Sequence, residues 1–233
     1  MDEGSMHSKR HAARQQKILD AAFTLITHYG YDKTTVDDIA RAAGISKGAI
    51  YLHFKSKEAL FEALLLRESE KIAEELIERT MTDPEGGTIF AIYSHSLIAF
   101  SANPLMKALY TRDRRVLGDV FRQISKATMQ EQGYAFNMGF VEQMQAAGLL
   151  RKDVSPNVIT YLLAALRYGV LTVDDAVEIT DPPPMEEVGP IIAAMLSKAF
   201  APEGGDSEAG KQAFRQLIEY GREVIRQRRA GRE

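Results

Sequence analysis

The chain has 233 residues, 45% of them hydrophobic and 26% charged, with a formal net charge of −3. That length supports a substantial core and suits two domains, while the lack of any cysteine excludes disulfides and thiol catalysis. Neither a signal peptide nor a membrane-spanning run is read, because the apolar stretches alternate with charge at helical spacing, and a soluble cytoplasmic protein with no membrane partner is expected.

The charge is unevenly spread. Residues 1–57 carry nine Lys/Arg against six Asp/Glu, a net of +3, whereas the remainder carries 20 against 26, a net of −6. A small DNA-reading head on an acidic body would show this split, although the asymmetry is modest.

Residues 1–10 are polar and are expected to stay disordered until DNA or a neighbour orders them. Lys9, Arg10 and Arg14 could reach phosphate near the head; a solvated tail explains them equally well. A first helix spans about 11–29, with Ile18, Leu19, Ala22, Phe23 and Ile26 at helical spacing. Gly30 ends it, and Tyr31 is expected to tuck into the head.

The stretch Lys33 to Lys57 reads KTTVDDIARAAGISKGAIYLHFKSK. Val36, Ile39, Ala40 and Ala43 form one face of a short helix, with Asp37 and Asp38 in its first turn, where the helix dipole favours negative charge. Thr34 with Asp37, or Thr35 with Asp38, fits the start signal. Gly44 can take positive φ at the corner, and Ser46 is a natural N-cap for a second short helix. Ile50 and Phe54 point back to the core. Ser46, Lys47, Gly48, Ala49, Tyr51, Leu52 and His53 are left for solvent or a partner. A helix of 10–12 Å overall diameter fits a major groove roughly 12 Å wide. Small residues at 48 and 49 let the backbone approach base edges, Tyr51 and His53 can reach phosphates or bases, and Lys47 and Lys57 supply charge. A short solvated bundle helix would give the same pattern.

Ser56 caps the next helix, whose stripe begins with Ala59, Leu60, Phe61 and Leu64 and continues to about Thr80. Asp83 to Gly87 is a break. Helices follow at 88–101 and, after Asn103-Pro104, through about Tyr110. Residues 114–147 read as one long helix with a kink possible at Gly133 or Gly139. Ser155-Pro156 opens a nearly apolar helix to about Val173, expected to be buried partly in its own domain and partly against something else. After the rigid linker Asp181 to Pro184, residues 185–200 repeat an apolar helical pattern, and an amphipathic helix closes the chain. No strand pattern of useful length is present. The expected fold is all-α: a helix-turn-helix, three-helix head at 1–57 on a larger helical body at 58–233 for ligand binding and dimerisation. The helices at 156–173 and 185–200 are candidates for a two-fold interface. A dimer would set two heads on a palindromic operator.

No H-E-x-x-H, G-x-S-x-G, phosphate-binding glycine loop or clustered metal-ligand pattern is present. No enzyme, cofactor or metal site is therefore read.

Between Ile18 and about Leu65 the chain closely resembles the TetR family of transcriptional regulators. The resemblance rests on Ile18 to Ala22, Gly30-Tyr31, Thr34 to Ala40, Ala43 to Gly48, Ile50 to Phe54 and Ser56 to Leu60. It implies that Thr35 makes a phosphate contact from the second helix and that Ser46, Lys47, Gly48 and Ala49 form the base-facing start of the recognition helix. Tyr51 and His53 would add phosphate or base contacts, and Lys57 a phosphate contact. It also implies a homodimer, mostly of repressors released from double-stranded DNA by a small-molecule effector, with activation left open.

The same resemblance puts a pocket in the body, for which Tyr93, His95, Phe100, Met106, Tyr110, Phe136, Phe140, Met144, Arg167 and Tyr168 are candidate lining residues. The aromatics and methionines read equally as plain core; as a set they suit a bulky apolar effector. Arg167, a charge in a nearly apolar helix, wants either an acid in a dimer interface or an anionic ligand.

Overall fold

The computed structural model describes residues 3–120, 130–202 and 207–230, and among these no strand occurs. The head contains α1 (Glu3–Tyr29), α2 (Val36–Ala43) and α3 (Lys47–Tyr51). Then come α4 (Lys57–Thr82), α5 (Ile89–Ala102), α6 (Pro104–Thr111) and α7 (Arg114–Leu117). The remaining described helices are α8 (Gln130–Ala146), α9 (Pro156–Ala176), α10 (Met185–Phe200) and α11 (Ser207–Ala230). All-α architecture follows from period-3.6 apolar patterning interrupted by Gly, Pro and Asn stops.

The helix ends fall where the short polar residues predicted them. Ser56 Oγ accepts from the Ala59 N–H at 3.1 Å, and Asn103 Oδ1 accepts from the Met106 N–H at 3.1 Å with Pro104 at the first helical position. Ser155 caps α9 in the same way. Each such cap satisfies an N–H that the helix cannot pair internally, worth about 1 kcal/mol.

The chain forms two compact units. One comprises residues 1–70 and 103–127, the other residues 71–102 and 128–233. The first unit thus holds residues 58–70 and 103–120 besides the helix-turn-helix. The long helix α4 runs through the point where the two units part.

In the first unit α1 packs on α2, α6 and α7, and α2 on α3. Ile18, Ile26, Ile39, Ile50, Leu60, Phe61, Leu64, Leu105 and Leu117 are almost wholly buried. A head of three helices has little apolar surface of its own to bury, and α4, α6 and α7 extend the core. A buried polar network fixes the helices laterally. Glu68, 2% exposed, pairs with Arg67 at 2.7 Å and accepts from Asn103 Nδ2 at 2.8 Å. Arg67 also reaches Asp20 at 2.6 Å. Helices α1, α4 and α6 are thereby joined by charge as well as by apolar contact, and breaking one partner of such a buried set is costly.

Two expectations are corrected here. Residues 3–10 are not a disordered tail but the start of α1. The long helix expected over 114–147 is interrupted after Leu117 and is helix again from Gln130 to Ala146, while residues 121–129 of that span lie outside the described residues. Gly118 takes φ 58°, ψ −150°, a region essentially restricted to glycine. A Cβ there would collide with the Asp32 carboxylate, which accepts from the Asp119 N–H at 3.2 Å. The Tyr31 N–H donates to the Val116 carbonyl at 2.8 Å. The turn after α1 and the turn after α7 are thus interlocked, a long-range contact with no local signal.

In the second unit α5 packs on α10 and α9, α9 on α8, and α8 on α11. The α5–α10 crossing is close because small residues face each other: a Cβ on Gly189 would stand 2.7 Å from Ser94 Oγ. Ile159, Leu163 and Leu171 of α9 are buried, whereas Tyr161, at 66% exposure, Leu162 and Leu166 are exposed. By length and composition α9 is apolar enough to cross a membrane, which the sequence reading did not anticipate; apolar helices that pack within proteins pass the same measure.

Candidate nucleic-acid interface

The α2–α3 unit is built from reciprocal local bonds. Thr35 Oγ accepts from the Asp38 N–H, and the Asp38 carboxylate accepts from the Thr35 N–H, both at 3.1 Å. This is a complete capping box, and the Thr35 hydroxyl is the main reason the Asp38 carboxyl titrates below its ordinary value. At the other end Gly44 takes φ 66°, ψ 36°, and the following Ile45 N–H reaches the Ala40 carbonyl at 3.0 Å. Ser46 Oγ then accepts from the Ala49 N–H at 3.2 Å and opens α3. Ile50, 1% exposed, and Phe54 anchor α3 to the core.

With that face buried, Ser46, Lys47, Gly48, Tyr51 and Leu52 are exposed and Ala49 is half-buried. Thr35 lies exposed at the start of α2. Lys47 Nζ donates to Asp37 at 2.7 Å, which raises the lysine pKa. The pair is half exposed on both sides, and such pairs contribute little, so a phosphate could replace the carboxylate cheaply. Sequence reading assigned Asp37 only to the helix dipole and missed this pairing. Gly48 needs no glycine for internal reasons: a Cβ there would find nothing nearer than Ser46 Oγ at 4.0 Å.

Lys57 and His53 are less free than the other candidates. Lys57 Nζ donates to the Tyr31 carbonyl at 2.6 Å and lies 3.9 Å from the centroid of the Tyr31 ring. Burial pushes its pKa down. Lys57 therefore ties the start of α4 to the turn after α1. The His53 ring lies 4.1 Å, centroid to centroid, from the ring of His11 on α1. Burial, then the charges of His11 and Arg14, lower its pKa. His11 was not among the sequence candidates, although it stands seven residues before Ile18 and so shares its helix face.

The candidates for the body pocket are divided between the units. In the second unit Tyr93 is buried and its hydroxyl donates to the Leu163 carbonyl at 2.9 Å. The Arg167 guanidinium lies 5.3 Å from the Tyr93 ring centroid and 5.9 Å from that of Phe100. Phe140 and Met144 are buried, Phe140 with its ring 6.2 Å from that of Phe214. His95 is bound to the Asp83 carboxylate at 2.9 Å. Tyr168 is 51% exposed. Met106, buried, and Tyr110 belong to the first unit. The side chain of Phe136 lies outside the described residues. Among the described residues no group of three or more His, Asp or Glu is placed to hold a metal.

Comparison with known proteins gives this head a family. The model for bacterial regulatory proteins of the tetR family matches residues 18–64. The HTH-type transcriptional repressor Rv1474c of Mycobacterium tuberculosis is 48% identical over 62 residues, 27% of this chain and 33% of that protein. The negative transcriptional regulator of the biofilm operon icaADBC in Staphylococcus aureus, IcaR, is 48% identical over 48 residues, 21% of this chain and 26% of its own length. The matches thus span about a third or less of these relatives. Over the longer chain, SmeT, solved in complex with triclosan, superposes with a TM-score of 0.61 at 26% identity, covering 82% of this chain and 93% of that one. The transcriptional regulator FadR of Bacillus subtilis, solved with stearoyl-CoA, has the same fold, with a TM-score of 0.58 at 18% identity over 78% of this chain and 96% of that one. The residues that build the capped helix-turn-helix, 18–64, are thus similar to the bacterial regulatory proteins of the tetR family.

Proposed function

We propose that the protein is a homodimeric transcriptional repressor that binds a palindromic operator and is released by a bulky, apolar or amphipathic small molecule. The observation that carries DNA binding is the exposed face of α3: Lys47, Gly48 and Tyr51 point outward from a helix anchored by Ile50 and Phe54, and nothing inside the fold requires glycine at 48. Thr35, Ser46, Ala49, His53 and Lys57 complete the proposed contact set. The cytoplasm is where such a regulator would meet DNA.

Dimerisation is supported by exposed apolar side chains on two helices of the second unit. Tyr161, Leu162 and Leu166 on α9 and Ile191 and Met195 on α10 are 37–66% exposed. A second copy covering them would remove that area from water at about 25 cal/mol per Å². A bulky apolar effector is supported by the aromatic and methionine content of the second unit and by triclosan and stearoyl-CoA in the two solved neighbours. Tyr93, Phe100 and Arg167 form its proposed contact cluster. Shifting a two-state population from 1:99 to 99:1 needs about 5.5 kcal/mol of differential affinity, within reach of a large buried apolar ligand.

The test is selection of bound duplexes from a random-sequence pool, followed by sedimentation with and without the enriched duplex. An enriched inverted repeat bound by two protomers is expected. Failure to retain any duplex at low salt would overturn the reading.

A further inference from the structure

We propose that the N-terminal overhang of α1 is a second phosphate-binding surface, engaging the backbone of duplex DNA beside the segment read by α3. The proposal rests on the DNA-binding reading above and extends it to residues outside the family match. Helix α1 has 27 residues, beginning at Glu3, whereas the family model begins at residue 18. Fifteen residues therefore precede the matched head as part of the same helix.

The chemistry of one helix face changes at that point. From Ile18 onward it is core: Ile18, Leu19, Ala22 and Ile26 are 0–3% exposed. One and two turns earlier, the positions in register with Ile18 are Arg14 and His11, flanked by Arg10 and Lys17. All four are exposed. No Asp or Glu lies between Glu3 and Asp20. A helix face that had only to be solvated would be expected to mix signs, whereas this one carries Arg10, Arg14 and Lys17 and no acid.

Its position relative to α3 is fixed by a contact. The His11 ring lies 4.1 Å from the ring of His53, two residues beyond the end of α3. The basic face therefore lies beside the end of the recognition helix. Arg10 to Lys17 covers about 10 Å of helix axis, at 1.5 Å per residue. The partner that matches a cationic strip continuous with a DNA-reading face is the phosphate backbone of the same duplex.

The experiment uses the full chain and a random-sequence duplex of about 30 base pairs, roughly three helical turns. Affinity is measured against salt for the wild type, for Arg10→Gln/Arg14→Gln, and for Lys152→Gln/Lys198→Gln, which removes the same charge from the other unit. Each lost phosphate contact should flatten the log–log salt slope by about 0.9, so the first variant should lose about 2 per protomer and the control nothing. A wild-type slope in the first variant, or an equal loss in the control, overturns the proposal and leaves the regulator reading intact. If the wild type binds no duplex, both fall. A second measurement needs no loss of charge. Since the chain has no cysteine, Ala13→Cys can carry a single Fe–EDTA group. Backbone cleavage flanking the selected operator half-site is expected, and no cleavage there overturns the proposal.

Discussion

Gly48→Ala separates the demands of folding from those of DNA. The substitution adds one methyl group at an exposed position inside α3, where a Cβ would have 4.0 Å to its nearest neighbour, Ser46 Oγ. Folding has nothing to lose there. Glycine in a helix is worse than alanine by roughly 0.5–1 kcal/mol, so the variant should be slightly more stable. For a chain of this size that corresponds to a rise of about 1–3 °C in melting temperature. DNA binding should move the other way. If the α3 backbone approaches base edges at residue 48, the methyl group occupies the space and costs about 1–3 kcal/mol, roughly five- to 150-fold in affinity. Circular-dichroism melting and fluorescence anisotropy on the selected duplex measure the two effects on one preparation. A variant that melts higher and binds as tightly as the wild type would refute the reasoning, because residue 48 would then stand clear of DNA.

Other substitutions probe the supports of the interface. Lys57→Met keeps the aliphatic stem but removes the ammonium from the Tyr31 carbonyl at 2.6 Å; a stability loss of about 1–2 kcal/mol is expected after allowance for partial exposure, together with weaker binding to all duplexes. An unchanged denaturant midpoint would show that the bond contributes nothing. Gly118→Ala forces a Cβ against the Asp32 carboxylate at φ 58° and should cost about 2–3 kcal/mol, or about 5–10 °C in melting temperature; a wild-type melt would contradict the interlocked turns. The His53 pKa is depressed below its ordinary 6.5 by burial and by His11 and Arg14. The unfolded chain therefore binds this proton more readily than the folded head, so His53 contributes stability above about pH 6.5 that is lost as pH falls through the folded value. Urea midpoints should fall with acidification in that window and less steeply in His53→Asn; parallel curves would exclude the histidine as the cause.

Much of the head was legible in the residues because its determinants are local. The Thr35–Asp38 box, Gly44 in the left-handed region, and the Ser46, Ser56, Asn103 and Ser155 caps each need only a short polar side chain within three residues of the N–H it satisfies. The inward direction of Ile50 and Phe54 followed from helical spacing alone. Tertiary structure decided what depends on partners distant in sequence. Gly118 leaves the helix at φ 58°, ψ −150°, with Asp32, 86 residues earlier, in the space a side chain would need. Lys57 is held by Tyr31, and Glu68 is tolerated in the core because Arg67 and Asn103 meet it. Lys9, Arg10 and Arg14 read equally as phosphate contacts or as a solvated tail until α1 proved continuous from Glu3 and His11 met His53. Hydrophobic period and capping act over one turn of chain, and so appear in the sequence. Long-range electrostatic and steric contacts have no period, and only the folded chain brings them together.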